Sequence, residues 1–395
     1  MKKKLLFIIN NLNCGGAEKA LISLLENINY KYYDVDLLLF KHEGIFLNKV
    51  PKGVNLLSEP PNYKYYDMPF IDVIQKTLRE RKVKILLWRV LAGFVFRSKK
   101  NASIREQESW KYISKSLEPL EKEYDAAIGY LEKNPIYYCV EKVNAKVKIG
   151  FIHNDYIKLG MDKKIDEKYF QSLSNIVTVS EGCVDVLKET FPIYKEKVEL
   201  MFNIVSPATI KKMALEHNDI KARKTVMNIT SVGRLTFQKG FDLAIDACKL
   251  LINRGYNVTW NVIGEGEERE NLEKLIEKHG LQKEFKLIGL KENPYPYINA
   301  SDIYVQPSRY EGRCLTITEA KILNKPIVAT NFKVVYDQLE NLKNSLIVEQ
   351  DPESIANGIE KLIIDPLLII EFKKNLSKEN YNNEMEIEKF YKLVN

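Results

Sequence analysis

Glu311 and Glu319 stand eight residues apart in the stretch PSRYEGRCLTITEAKILNKPIVAT, residues 307–330, and they are the first side chains here able to do chemistry together. Glu311 precedes a glycine in a loop-like segment. Glu319 falls within a helical pattern that runs into an apolar strand. Spacing alone allows two solvated acids or two parts of one binding site. A helix beginning near Thr316 would present unbonded N–H groups to an anion. A carboxylate in the loop can accept from sugar hydroxyls, and a deeper one can take the two hydroxyls of a ribose.

Four further loops carry residues of a matching kind. Arg234 and Lys239, in SVGRLTFQKGFDLAI, flank a strand-to-helix loop. A fork and a point charge there suit a diphosphate, although isolated loop cations are more often simply solvated. Gly264-Glu265-Gly266, in VIGEGEEREN, form a tight turn at the end of a strand that would let the chain pass under a flat base. Gly15 and Gly16, in NCGGAEKAL, lie between the first strand and the first helix. They permit close backbone approach beside a helix start, and a plain turn explains them equally well. His153, in IGFIHNDY, follows a strand, where a lone histidine is more often structural. All these loops fall at predicted strand carboxyl ends, where open α/β sheets bind ligands.

The elements that must position these loops are legible as short apolar runs alternating with helical patterns. KLLFII, DVDLLLF, NLLS, YDAAIGYL, VKIGFIH and NIVTVS read as strands of a first series. A second series begins near residue 226 with VMNITSVGRL, VTWNVIGEG, FKLIGL, DIYVQPS, PIVAT and NSLIVE, separated by helices such as DPESIANGIEKLI, with Asp351 as N-cap. The alternation predicts parallel sheets covered by helices on both faces. We expect an N-terminal domain over 1–206, a C-terminal domain over 207–375, and a last amphipathic helix, within 376–395, that packs back on the first.

Composition narrows the class. A chain of 395 residues suits two domains, and 45% hydrophobic residues give each a core. The net charge of +7 is compatible with phosphates or an anionic membrane, and no pattern points to nucleic acid. Five scattered cysteines, without CxxC spacing, read as free thiols of a reducing compartment. Four histidines form no HxH or HExxH arrangement, so no metal site is expected. The opening MKKKLLFIINN has too short an apolar run for a leader and reads as a buried strand, and nothing is long enough to span a bilayer; a cytoplasmic protein is expected. Residues 76–105 stand apart, with ten Lys or Arg and one Glu around the apolar stretch Ile85–Phe96. They read either as an ordinary helix with a basic edge or as a basic helix lying on an anionic membrane surface through Trp88, Phe94 and Phe96.

On these motifs the chain resembles glycosyltransferase family 4, in which EGRCLTITE corresponds to the E-x7-E motif and GRLTFQKG to the Arg/Lys pair; the GGAE start and the GEGEE turn also match. The resemblance implies the α/β GT-B fold, two Rossmann-like doubly wound domains facing a cleft. It implies a retaining, metal-independent transfer from a nucleotide-sugar, expected to be a UDP-sugar, to a saccharide or lipid-linked acceptor in bacterial surface polysaccharide synthesis, peripheral to the cell membrane. No cofactor is implied. Arg234 and Lys239 would neutralise the diphosphate, with backbone amides near Cys314, Leu315 and Thr316. Glu311 would contact the transferred sugar and Glu319 the ribose. The Gly264–Gly266 turn, with Glu265, would lie near the base. Gly15 and Gly16 would close over the phosphates, and His153 would stand beside the donor sugar, with Asn154 and Asp155 as candidates for the acceptor. Arg313-Cys314 departs from the small or aromatic residue and glycine that many relatives carry, which bears on donor identity. Two rivals remain, a GT-B nucleotide-sugar 2-epimerase and a non-catalytic GT-B partner subunit.

Overall fold

The computed structural model describes residues 2–13, 15–216 and 226–395. Met1, Cys14 and the linker residues 217–225 lie outside the described residues, His217 among them. The chain divides into two compact units: among the described residues, 2–13, 17–204 and 385–395 form the first, and Gly15, Gly16 and 205–384 (without the linker) the second. The boundary at 204/205 falls two residues from the sequence expectation. The returning segment starts at Met385 and not at 376, because residues 376–384 stay with the second unit.

The first unit contains a seven-stranded sheet: β1 (Lys3–Ile9), β2 (Tyr33–Leu39), β3 (Val54–Leu56), β4 (Glu123–Gly129), β5 (Asn144–Ile152), β6 (Asn175–Thr178) and β7 (Val198–Leu200), in the order β3-β2-β1-β4-β5-β6-β7. The second contains six strands: β8 (Met227–Val232), β9 (Val258–Ile263), β10 (Phe285–Leu287), β11 (Ile303–Gln306), β12 (Ile327–Thr330) and β13 (Ser345–Val348), in the order β10-β9-β8-β11-β12-β13. Pairing is parallel throughout both sheets among the described residues. Parallel strands covered on both faces must be apolar on both faces, which is why Leu5 to Ile9 form an unbroken run without solvent exposure. Each sheet reverses its strand order once, between β1 and β4 and between β8 and β11. Those switch points open crevices at the strand carboxyl ends.

Local signals set several helices. Asp351 caps the helix Pro352–Ile364 by accepting from the Ser354 N–H at 2.8 Å. The last helix, Glu386–Val394, docks on the first unit through aromatic contacts: Phe390 stacks on Phe7 and Tyr391 on Tyr33, with centroids 5.6 and 5.1 Å apart. The Asn29 N–H donates to the Tyr391 hydroxyl at 2.9 Å.

The segment 76–105 is not one basic helix. It spans parts of three, Phe70–Arg79, Val83–Phe96 and Ala102–Ile113, with Arg81 in a left-handed turn at φ 58° between the first two. Trp88, expected at a surface, packs inward: its ring stacks on Tyr112, and the Lys115 ammonium sits 4.2 Å from its centroid. Arg89 is turned in as well, donating to the Tyr65 carbonyl at 3.0 Å. Val83, Leu87 and Phe94 stay in solvent on one stripe of the middle helix, Leu87 at 52% and Phe94 at 68% exposure. No helix among the described residues is long and apolar enough to cross a membrane.

Candidate functional site

The switch point of the second sheet gathers the motif residues. The loop after β8 carries Gly233 and Arg234, then a short 3-10 turn, Phe237–Lys239, and the helix Phe241–Asn253. The loop after β11 carries Ser308 to Cys314 and leads into the helix Leu315–Ile322. Adjacent strands thus deliver a cation and a carboxylate to the same place, and the Lys239 ammonium donates to Glu311 Oε1 at 2.6 Å.

The chain geometry of the first loop depends on Gly240. It ends the 3-10 turn at φ 66°, a left-handed conformation that suits glycine, and a Cβ there would stand 2.0 Å from the Pro307 carbonyl oxygen. Close packing explains Gly264 as well. At φ 152° a Cβ would meet the Gly233 carbonyl oxygen at 1.9 Å, so the turn after β9 lies directly on the Arg234 loop. Packing between loops therefore already requires this glycine. Glu265 does not stand open: Arg269 forks both its oxygens at 2.7 and 2.6 Å across one helical turn.

Glu311 is only 6% exposed and is held by more than the lysine. The Ser308 hydroxyl donates to the same Oε1 at 2.7 Å. Behind it, Gln306 Nε2 donates to Ser308 Oγ at 2.8 Å, and the hydroxyls of Tyr304 and Thr316 donate to Gln306 Oε1 at 2.5 and 3.2 Å. This buried relay pre-orients the carboxylate, because its members satisfy one another without water. A buried ion pair contributes little net stability in itself, since desolvation of both charges offsets their attraction. Its presence at a strand terminus is better explained by use.

Glu319 lies a turn deeper in the helix at 1% exposure, with the Tyr295 hydroxyl donating to its Oε1 at 3.4 Å. Cys314 precedes the helix, and its amide is engaged: it donates to Gln338 Oε1 at 2.9 Å, while Gln338 Nε2 returns a bond to the Cys314 carbonyl. The anion-facing amides expected at this helix start therefore reduce to Leu315 and Thr316, which occupy the first turn where no intrahelical acceptor exists. Burial pushes the Cys314 thiol up to about 12, so this cysteine is no thiolate nucleophile. Arg234 is exposed and forms no ion pair among the described residues, a free cation beside the Lys239–Glu311 pair in sequence.

The first unit carries His153 past the end of β5, 7% exposed. Burial pulls its imidazole down to about 4, against the opposing pull of Glu132 and of a hydrogen bond to the Tyr130 main chain. The ring is therefore uncharged at neutral pH, and its Nε2 is buried with no hydrogen-bond partner among the described residues. Glu132 braces the backbone there, accepting from the His153 N–H and from Asn154 Nδ2, both at 3.2 Å. Asp155 braces its own loop, its Oδ1 accepting from the N–H groups of Ile157 and Lys158 at 3.0 and 3.1 Å. Gly15 and Gly16 lie where the loop after β1 enters the helix Gly16–Asn27.

Sequence reasoning missed Gln306, Ser308, Arg309, Gln338 and Glu132. One signal is present: Gln306 ends a strand, IYVQ, that is otherwise apolar, and a polar residue buried there must have partners. Among the described residues no group of three or more His, Cys, Asp or Glu side chains is arranged to hold a metal ion.

Residues 213–383 match the family model of glycosyl transferases group 1. The chain is 26% identical over 253 residues to poly(ribitol-phosphate) alpha-N-acetylglucosaminyltransferase of Staphylococcus aureus, covering 62% of this chain and 49% of that protein. It is 24% identical to the N-acetylgalactosamine-N,N'-diacetylbacillosaminyl-diphospho-undecaprenol 4-alpha-N-acetylgalactosaminyltransferase of Campylobacter jejuni, covering 93% of this chain and 92% of that protein. The chain spans about half the length of the curated relatives it first matches. Among solved structures, a point mutant of S. aureus TarM, in complex with Fondaparinux, alpha-GlcNAc-glycerol and UDP, superposes with a TM-score of 0.69 at 17% identity over 100% of both chains. The fold is thereby GT-B, with two Rossmann-like α/β domains.

Proposed function

We propose that this chain is a retaining, metal-independent glycosyltransferase of family 4 that moves a sugar from a UDP-sugar to a saccharide or lipid-linked acceptor in bacterial surface glycan synthesis. The observation that carries this reading is the Lys239–Glu311 pair at a sheet switch point, beside the start of a helix that carries the buried carboxylate of Glu319. Cations and amides gathered there suit a diphosphate leaving group, and the buried carboxylates suit hydroxyl donors, Glu311 for the sugar and Glu319 for the ribose. UDP accompanies the solved neighbour TarM. The two relatives named above are alpha-N-acetylglucosaminyl- and 4-alpha-N-acetylgalactosaminyltransferases, and α is the configuration that retention from an α-linked nucleotide-sugar gives.

In the reaction the acceptor oxygen bonds to the anomeric carbon on the face from which the bond to the diphosphate oxygen breaks. The electron pair of that bond leaves with the diphosphate, and a phosphate oxygen takes the acceptor proton. Arg234, Lys239 and the Leu315 and Thr316 amides hold the departing charge. His153 of the first unit, uncharged, is proposed as a hydrogen-bond acceptor for a sugar hydroxyl. Gly15 and Gly16 admit the phosphates close to the backbone. A thermal-shift panel of UDP, GDP and ADP tests the donor site. Stabilisation by UDP is expected, about 2.7 kcal/mol at a hundred times its Kd, and no response to any of the three would refute the reading.

The acceptor is proposed to be membrane-linked, and the chain to work peripherally on the cytoplasmic face. Support comes from the exposed stripe of Val83, Leu87 and Phe94 and from the cations Lys84, Arg97, Lys99 and Lys100 around it. Flotation with vesicles containing phosphatidylglycerol is expected to carry the protein, and Leu87→Glu with Phe94→Glu to release it. Equal flotation of both proteins, or none of either, would remove the membrane from the proposal.

A further inference from the structure

We propose that Arg309 is a positioning residue for the diphosphate site, holding the loop that presents Lys239 and masking the negative charge of Asp242 at the start of the adjoining helix. This rests on the diphosphate reading given above. Arg309 lies two residues before Glu311, inside the stretch 307–330, and the sequence alone assigns it no role.

Its guanidinium forks Asp242, Nη1 to Oδ1 at 2.8 Å and Nη2 to Oδ2 at 2.6 Å. Nη1 also donates to the Phe237 carbonyl at 2.8 Å, and the plane lies 4.0 Å from the Phe237 ring centroid. The Arg309 N–H donates to the Gln238 carbonyl at 2.8 Å, and Gln238 Nε2 returns to the Tyr310 carbonyl at 2.9 Å. Residues 237, 238 and 242 are thus tied to the β11 loop on both sides of Lys239. The anchor is itself braced, since Gln350 Nε2 donates to the Arg309 carbonyl at 3.0 Å. Fork, carbonyl bond and stacking together require a planar guanidinium, so lysine does not substitute.

The second role is electrostatic. Asp242 is the second residue of the helix Phe241–Asn253. A carboxylate there is favoured by the helix dipole but repels any anion approaching the same end. Arg309 neutralises it, so the loop keeps the net positive charge of Arg234 and Lys239. A half-buried pair that merely stabilised the fold would leave ligand affinity unchanged when its acid is removed. Rescue by Asp242→Asn therefore separates positioning and masking from a purely structural role.

The experiment is calorimetric titration of the full chain with UDP, using wild type, R309M, R309K, D242N and R309M/D242N, with melting temperatures recorded for each. We expect R309M to weaken UDP binding by about tenfold or more, R309K to recover less than half of that loss on a logarithmic scale, and D242N to bind within about twofold of wild type. The double variant is expected to recover about half of the R309M loss. If R309M does not fold, R309K supplies the same reading. UDP binding by R309M at wild-type affinity, or a double variant no better than R309M, overturns the inference and leaves the proposed function standing. A wild-type chain that binds no UDP overturns both.

Discussion

Replacing Glu311 by glutamine is expected to lower kcat for sugar transfer by about 10²–10³-fold while the protein stays folded and still binds the nucleotide. The carboxylate is buried and oriented by two donors, Lys239 and Ser308, on a single oxygen. Its second oxygen is the one proposed to meet the transferred sugar. Glutamine keeps the shape and one acceptor oxygen but loses the charge that strengthens as the anomeric carbon becomes electron-poor. Alanine should abolish transfer and also cost stability, because it strips a buried lysine of its partner. Comparing the two separates chemistry from folding. The measurement is product formation under saturating donor, alongside a melting curve. Turnover of E311Q at the wild-type rate would contradict the role assigned to this residue.

Lys239→Met is expected to have an effect of similar size with a different signature. Loss of one preorganised charge on the leaving group costs about 3–4 kcal/mol in the transition state, or 10²–10³ in kcat. The same change leaves Glu311 buried without its cation, which costs about 3–5 kcal/mol of stability. The lysine side chain is only 14% exposed and the glutamate 6%, so solvent screens neither. Combining K239M with E311Q should restore most of the stability and none of the transfer. A double variant no more stable than K239M alone would mean that the lysine does not compensate this carboxylate. Activity in the double variant would remove both residues from the reaction.

Much of the fold is legible in the chain itself. Parallel strands buried on both faces must be apolar runs, so every strand except β7 leaves a mark, and glycine and capping signals place the helices between them. The exception has a reason: β7 is the three-residue edge strand VEL, whose middle residue is an exposed glutamate. The E-x7-E spacing and the Arg/Lys pair, read with strands before them and helix starts after them, put Glu311, Glu319 and Lys239 near strand ends. Residues 76–105 read as one helix because charge and hydropathy vary smoothly through a segment whose break depends on the left-handed turn at Arg81. Propensity gives little warning of such a turn at an arginine.

Sequence by itself determined the two α/β units and the residue types of the candidate donor site, since both follow from periodicity and local spacing. Only the tertiary structure decided which neighbours those residues keep. It turned the Cys314 amide toward Gln338 and turned Trp88 inward. It also brought Arg309 onto Asp242, 67 residues away in the chain. Arg309 and Asp242 follow strands adjacent in the sheet but distant in sequence, and parallel pairing across a switch point has no local signature.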